Sequence, residues 1–330
     1  MKQQEIFIGL LKRNVPSNIN LAEDMGQVLQ ISSDSAYRRI RCETALTLDE
    51  TVKLCNHFDI PLDVLNHSTP NSISFKIHKL SNHIDSFIDY LEALGSDIGN
   101  LTKYENGEII YAAEDLPVFY SFFFKELARF KLGYWNKSIQ NVEELQGTYV
   151  EDLQIPAEWQ EKVQAIVSNF LQVNSIEIWN EDTLKSTLRQ VKFYWEAGFF
   201  KHKETALAVV EDLRNLVEML RKQCDLGKKM NFAKGAFTSS EYVLYNSDLM
   251  IGSNCVLLRA EGKETSYIGY NSFNYMRTSN SFFNEQEKNW MNNLISKSTL
   301  LSKVSEKQRN QFIKELNRQV NELENFIKEN

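Results

Sequence analysis

The chain has 330 residues, of which 42% are hydrophobic, 12% aromatic and 25% charged, and this composition excludes an intrinsically disordered protein. With only 13 Gly and 5 Pro, the chain resembles a helix-rich protein more than a β protein with many turns. The formal net charge of −7 excludes a uniformly basic nucleic-acid binder, so any contact with DNA has to come from a local basic surface.

Cysteine spacing and hydropathy indicate the compartment. Cys42, Cys55, Cys224 and Cys255 lie far apart and form no C-x-x-C pair, which predicts reduced and mostly buried thiols. No apolar run approaches the roughly 18 residues of a membrane-spanning helix, and the first residues lack the pattern of a signal peptide. We therefore expect a cytoplasmic protein that does not interact with membranes.

The first part of the chain predicts a bundle of short helices. A helix from about Gln3 to Arg13 places its apolar residues on one face and ends before Pro16. A second helix begins near Leu21. Its apolar stripe consists of Leu21, Met25, Val28 and Leu29.

Three more helices are predicted from capping signals. One runs from Ser33 to Arg41, because a cluster of short polar residues at 32–34 precedes it. The next follows Thr47, which has the spacing of a capping box with Glu50. A short last helix is expected from Asp59 to Leu65.

The helix from Ser33 to Arg41 turns Ala36 and Ile40 inward and carries three arginines, a tyrosine and short hydroxyls around the rest. This composition suits a helix in the major groove of DNA, with arginines on phosphate and guanine. The alternative is a solvated face whose arginines pair with neighbouring carboxylates. Helix capping explains the short polar residues about as well as DNA contact does, and the tyrosine fits either a DNA contact or a half-buried core position. The candidate DNA-binding residues are Ser32, Ser33, Asp34, Tyr37, Arg38, Arg39 and Arg41.

This region resembles the Cro/C1-type helix-turn-helix domain of prokaryotic transcription regulators over about residues 5–66. Gly26 lies between apolar Met25 and Leu29, Ile31 follows the turn, and the sequel ETALTLDETVKLCNHFDIPLDVL resembles the fourth and fifth helices of that family. Two departures are visible. Gln30 stands where the family commonly has glycine, and the spacing from Ile31 to Ile40 is one residue longer, which leaves the register of the outward face open by one position. The resemblance implies sequence-specific binding to double-stranded DNA.

A sustained heptad pattern follows the linker STPNS at 68–72. Its apolar positions are spaced alternately four and three apart, the pattern of a coiled coil. Either this helix pairs with another chain or it lies on its own domain, and the two alternatives stay open. The start of the pattern equally fits a strand, because apolar residues also alternate over 73–77. The pattern includes Ile73, Ile77, Leu80, Ile84, Phe87, Leu91, Leu94, Ile98 and Leu101.

The middle of the chain is predicted to be mostly helical. The segment 107–115 predicts a short strand or an extended link, and Pro117 opens an aromatic helix. The aromatic block at 119–135 is interpreted as core in preference to a ligand pocket. Further helices are predicted at about Pro156–Gln172, Asn180–Ala197 and His202–Leu226.

After residue 227 the period of the apolar residues changes. Four short strands are predicted to begin at Tyr242, Cys255, Thr265 and Phe273, with a hairpin turn at 261–263. A helix from about Asn284 to Ser298 follows, and a last one begins after Ser305. The predicted fold class is therefore mainly α. A helix-turn-helix bundle occupies residues 1–68, an all-α domain residues 69–236, and a small α+β domain with an antiparallel sheet residues 237–330.

No catalytic chemistry is predicted. The five histidines show no zinc-binding spacing, and no nucleotide-binding or hydrolase motif occurs, so we expect no metal, no cofactor and no enzymatic activity. The preferred function is a DNA-binding transcription regulator that acts as a homodimer, with the heptad pattern and the last helix as candidate interfaces. Its effector ligand or protein partner is not specified by the sequence. The alternative is a protein-interaction module, which is favoured by the net charge of −2 of Met1–Ser68.

Overall fold

The computed structural model describes residues 2–14, 20–58, 60, 62, 73–78, 80 and 85–330. The chain divides into two compact units, Met1–Phe75 and Lys76–Asn330, called here the N-terminal and the C-terminal unit. Among the described residues, no helix combines the length and the apolar character that crossing a bilayer requires.

The N-terminal unit contains four described helices that share one apolar core. They are α1 (Lys2–Asn14), α2 (Leu21–Leu29), α3 (Ser33–Ile40) and α4 (Leu48–His57). Phe7 and Leu11 of α1 pack with Met25 of α2, Ala36 of α3 and Leu54 of α4, all of them at most 1% exposed. The short helix expected from Asp59 to Leu65 falls for the most part outside the described residues, as do the linker at 68–72 and the expected boundary at 68/69.

The C-terminal unit is built on one mixed sheet. Within the described part of the chain it has nine strands, in the order β1-β8-β7-β6-β2-β3-β5-β4, and β9 pairs with β5 as well. The strands are β1 (Lys76–Ile77), β2 (Glu108–Ala112), β3 (Asn174–Trp179), β4 (Lys228–Asn231), β5 (Ala236–Asn246), β6 (Cys255–Ala260), β7 (Lys263–Tyr270), β8 (Asn274–Thr278) and β9 (Thr299–Leu300).

The centre of the sheet is parallel and its flanks are antiparallel. Ile110 of β2 lies beside Ile176 of β3, which lies beside Val243 of β5, and both of these pairings are parallel. The remaining pairings are antiparallel, including the hairpin of β6 and β7. Its two-residue turn has Glu261 at φ 47° and Gly262 at φ 78°, the positive φ angles of a tight hairpin.

Helices cover the two sheet faces unequally. They are α5 (Asp85–Leu101), α6 (Lys125–Gly133), α7 (Ala157–Leu171), α8 (Lys185–Glu196), α9 (Lys203–Leu226), α10 (Ser281–Ser296) and α11 (Glu306–Glu329). One face, with Tyr111 and Tyr242, joins the main core formed with the other helices. The opposite face, with Ile110 and Leu257, packs against Met291 and Leu294 of α10.

The structure contradicts the predicted fold class. The middle of the chain is not all-α, because β2 and β3 lie at the centre of the sheet. The sheet is also neither small nor purely antiparallel. The strand that was one alternative for 107–115 is found as β2, an apolar run without alternation. In contrast, β3 lies in the short gap between two predicted helices, and its parallel partners lie far along the chain, so it was not predicted.

The aromatic segment also differs from the expected continuous helix. It forms a short 3-10 helix at Val118–Phe122, then α6, then a π-helix at Tyr134–Ile139. The prediction that this block is core is confirmed, since Phe119, Tyr120 and Trp135 are at most 4% exposed.

The part of the heptad pattern that lies on α5 is buried inside the C-terminal unit, whereas Ile77 lies in β1 and is 57% exposed. Phe87, Leu91 and Ile98 of α5 belong to the main core, and α5 packs along α7. A Cβ at Gly99 would lie 3.0 Å from the side chain of Asn169, so the small residue allows the two helices to approach closely. The apolar stripe of α11 is buried in the same core. The α5 part of the heptad pattern and the apolar stripe of α11 are thus covered within the chain, while Ile84 lies outside the described residues.

Candidate nucleic-acid interface

A turn of three residues joins α2 to α3. Gln30 adopts φ 56° and ψ 46°, the left-handed conformation that glycine adopts most easily, and the N–H of Ile31 donates to the carbonyl of Gly26 at 3.0 Å. A Cβ added at Gly26 would lie only 3.1 Å from the carbonyl oxygen of Ile31, which explains a small residue there. The turn therefore keeps its geometry although glutamine occupies the strained position.

After this turn, one side of α3 packs on the core and the other side is exposed to solvent. The hydroxyl of Ser32 caps the helix by accepting from the N–H of Ser35 at 3.3 Å. Ala36 is the buried residue of α3 at 0% exposure, and Ile31 and Ile40 pack partly buried against the same core. The burial of Ala36 therefore determines which residues of α3 face outward, a point that the sequence left open by one position. The positions exposed along the helix and at its C-terminal end are Ser33, Asp34, Tyr37, Arg38 and Arg41.

Arg39 differs from the other two arginines of the candidate site. Its guanidinium donates from Nη2 and Nε to the carboxylate of Glu50, at 2.8 and 3.2 Å, and from Nη1 to the carbonyl of Ser35 at 3.2 Å. The side chains of Arg39 and Glu50 are only 16% and 18% exposed. Arg39 is therefore placed to hold α3 against α4, a relationship that the spacing along the chain did not indicate.

Glu50 has a second role in the same place. Its carboxylate accepts from the N–H of Thr47 at 3.0 Å while the hydroxyl of Thr47 accepts from the N–H of Glu50 at 3.2 Å. The predicted capping box is confirmed. The hydrogen bond from Arg39 is the largest cause that lowers the pKa of Glu50, so the carboxyl group is held in its charged form.

Arg38 and Arg41 remain accessible. Their side chains are 62% and 60% exposed, and both lie beside the carboxylate of Glu43. Tyr37 is 43% exposed, so it is not a core residue. Asp34 stands in the first turn of α3, where a carboxylate favours the helix.

Gln4 of α1 was not singled out by sequence analysis. Its amide nitrogen donates to the carbonyls of Arg39 and Thr44 at 3.0 and 2.8 Å, and its amide oxygen accepts from the N–H of Leu46 at 3.1 Å. Gln4 thereby fixes the segment that leaves α3. Gln4 lies in the polar first turn of α1, where a glutamine gives no local sign of such partners.

The C-terminal unit contains a buried polar cluster around Glu177 of β3. Its carboxylate accepts from the hydroxyl of Tyr120 at 2.9 Å and from the indole of Trp179 at 3.0 Å, and Tyr242 and Ser175 also contact it. Burial raises the pKa of Glu177. All these side chains are at most 1% exposed, so the cluster stabilises the core and does not meet a substrate from solution.

Among the described residues we also looked for reactive thiols and for metal ligands. The four cysteines are free thiols, and three of them are buried. Within the described ranges, no group of three or more histidine, cysteine or acidic side chains is arranged to hold a metal ion.

Comparison with protein-family models, with curated proteins and with solved structures finds no match for this chain. The function of the chain has to be inferred from the geometry of α3 and of the residues that orient it.

Proposed function

We propose that the chain is a sequence-specific regulator of transcription that binds double-stranded DNA through α3. The observation that supports this most strongly is the exposed face of α3, which is anchored from behind by Ala36 and by the pair of Arg39 with Glu50. The major groove is about 12 Å wide and admits an α-helix such as α3, because the diameter of a helix with its side chains is about 10–12 Å.

The exposed residues would have different roles in this complex. Arg38 and Arg41 are the donors available for guanine or phosphate. Ser33 and Asp34, at the N-terminal end of α3, suit contacts to phosphate and to the cytosine amino group respectively. Tyr37 is the side chain available for a thymine methyl group. Ser32 and Arg39 orient the helix.

The C-terminal unit would provide dimerisation or signal reception in a cytoplasmic regulator. One small domain makes few base contacts, so a homodimer that binds two half-sites is expected. Since α5 and α11 bury their apolar stripes within the unit, the dimer contact belongs to another surface of it.

The experiment that tests the proposal is selection of bound duplexes from a random DNA pool by the full-length protein. We expect an enriched site with two-fold symmetry. Arg38→Ala and Arg41→Ala should each weaken binding to this site by about fivefold or more, since one good base contact is worth about 1–3 kcal/mol. Lys53→Ala, which removes an exposed charge from α4, is the matched control and should bind as the wild type does. Unchanged binding of both arginine variants would remove α3 from the interface.

A second function, docking of a protein partner by the N-terminal unit, is favoured by one observation. Glu43 lies against both exposed arginines of α3, and this reduces the positive potential that DNA would meet. A pool selection that enriches no sequence, together with binding that does not respond to salt, would favour this alternative.

A further inference from the structure

Glu43 places a carboxylate on the exposed arginines of α3. Its Oε1 lies 2.9 Å from Nε of Arg41, and its Oε2 lies 3.2 Å from Nη2 of the same guanidinium. Nε of Arg38 is 4.0 Å from Oε2. The carboxylate of Glu43 therefore lies beside both accessible arginines of α3 and its C-terminal end.

The backbone after α3 holds Glu43 in this position. Cys42 adopts φ 59°, a left-handed conformation that is uncommon for a residue with a side chain. This turns the chain back, so the N–H of Glu43 donates to the carbonyl of Arg38 at 2.8 Å and the N–H of Cys42 donates to the carbonyl of Arg39 at 3.0 Å. The carboxylate is thus attached next to the last turn of α3 by main-chain hydrogen bonds.

The carboxylate of Glu43 contacts the same guanidinium N–H groups that would bind DNA. A guanidinium binds a carboxylate and a phosphate with the same planar set of N–H groups. Glu43 is itself 48% exposed, and ion pairs at such positions are weak, so a phosphate or a guanine can displace it. Its negative charge then remains close to the DNA backbone and repels it.

We propose that Glu43 competes with DNA for Arg38 and Arg41 and thereby weakens non-specific binding more than binding to the selected site. Non-specific binding comes almost entirely from contacts between basic groups and phosphates, and Glu43 opposes these contacts directly. The loss of the carboxylate partner costs the same in both complexes, so the difference comes from the repulsion between Glu43 and phosphates. At the selected site the arginines also bind base edges, so a smaller share of the binding free energy depends on phosphate contacts. Glu43 is then a specificity-determining residue of α3, an inference that rests on the proposed function of that helix.

The test compares Glu43→Gln with wild-type full-length protein on two duplexes, a mixed-sequence duplex of about 30 base pairs and the duplex recovered by selection. We expect Glu43→Gln to bind the mixed-sequence duplex about two- to fivefold more tightly, a change of the size that an exposed ion pair contributes. The selected duplex should tighten by less, so the specificity ratio falls. Glu105→Gln is the matched control because it removes one exposed acidic charge from the other unit, and it should change neither affinity.

The outcomes separate this inference from the function on which it rests. If wild-type protein and both variants fail to bind any duplex, the proposed function and this inference are both wrong. If wild-type protein selects a site but Glu43→Gln binds the mixed-sequence duplex no more tightly, only the role of Glu43 is wrong. An equal tightening on both duplexes also overturns it. Because the side chain of Glu43 is half exposed and contacts the two arginines, the variant is expected to fold, and its thermal unfolding midpoint checks this.

Discussion

The guanidinium of Arg39 and the carboxylate of Glu50 form two hydrogen bonds, at 2.8 and 3.2 Å, between the last turn of α3 and the first turn of α4. Since the same carboxylate also completes the capping box with Thr47, one acidic group fixes both the start of α4 and the orientation of α3. Arg39, one of the three arginines assigned to DNA by its position in the sequence, therefore has an internal partner.

Replacement of Arg39 by methionine should destabilise the N-terminal unit. The side chain keeps an apolar stem but loses both hydrogen bonds to a partly buried carboxylate and the one to the carbonyl of Ser35, and the expected loss of stability is about 1–2 kcal/mol. Hydrogen exchange of the amides of α3 and α4 in the full chain measures this locally. Lys53→Met on the exposed side of α4 is the control. Equal exchange in the two variants would show that the pair contributes nothing.

The same pair predicts a dependence of stability on pH. Because Arg39 lowers the pKa of Glu50 below its ordinary value near 4.5, the folded state favours the charged carboxylate more than the unfolded chain does. This stabilisation is complete above pH 4.5 and is lost as the pH falls through the lowered pKa. Exchange protection of α3 and α4, corrected for the intrinsic rate, should decrease in that range.

Glu50→Gln removes the titrating group and should reduce this dependence. A variant that loses protection on acidification as steeply as the wild type does would mean that other carboxyl groups cause the effect.

Replacement of Gln30 by glycine should stabilise the turn before α3. A residue with a Cβ is strained at φ 56°, and glycine relieves that strain at some cost in entropy, so the expected net gain is up to about 1 kcal/mol. Gln27→Gly is the matched control, because position 27 is exposed but helical, and it should destabilise by about 1 kcal/mol. Slower amide exchange in α2 and α3 for Gln30→Gly alone is the predicted result. If both variants destabilise, the strain at position 30 is not significant.

Lys229 of β4 is fully buried, and its ammonium donates to the carbonyl of Phe170 at 2.7 Å. Burial lowers the pKa of Lys229 from 10.5 to about 7, an effect that the charge of Glu177 partly opposes. Between these two pKa values the unfolded chain binds a proton that the folded chain does not. Stability of the C-terminal unit should therefore rise with pH from about 7, with a slope that approaches about 1.4 kcal/mol per pH unit.

Denaturant unfolding of the full chain between pH 7 and 9 measures this slope in wild-type protein and in Lys229→Met, where it should be smaller. Lys228→Met changes the neighbouring, less buried lysine and should leave the slope unchanged. The window ends near pH 9 because the buried thiols of Cys224 and Cys255, whose pKa burial raises from 9.0 to about 12 and about 11, oppose the effect in more alkaline solution. Identical slopes in all three proteins would mean that Lys229 does not titrate differently in the folded state.

Capping and turn patterns in the sequence correctly predicted the helix starts and the hairpin turn, because contacts between residues close in the chain determine them. Ser32 and the pair of Thr47 with Glu50 cap helices within three residues of themselves, and these helices begin where the capping pattern indicated. The turn at Glu261 and Gly262 is equally local, and the strands on either side of it are found in β6 and β7. The strand predicted at Tyr242 lies inside β5.

Non-local contacts could not be predicted in this way. Parallel pairing of β2 with β3 joins segments that are separated by α6, α7 and several shorter helices, and β3 contains the buried Glu177, which hides its apolar character. The partner of Arg39 and the position of Glu43 depend on how α3 packs and how the chain turns at Cys42. The residue types of the candidate site were visible in the sequence, but which arginines are accessible was not.

The salt dependence of DNA affinity tests the central claim most directly. For full-length protein and the duplex recovered by selection, the logarithm of the binding constant should fall linearly with the logarithm of salt concentration between about 50 and 200 mM. Removal of an arginine that contacts phosphate, Arg38 or Arg41, should reduce the slope by about 0.9, whereas Lys53→Ala should leave it unchanged. An affinity that does not change with salt, or the absence of binding to any duplex at about 50 mM salt, would contradict DNA recognition by α3.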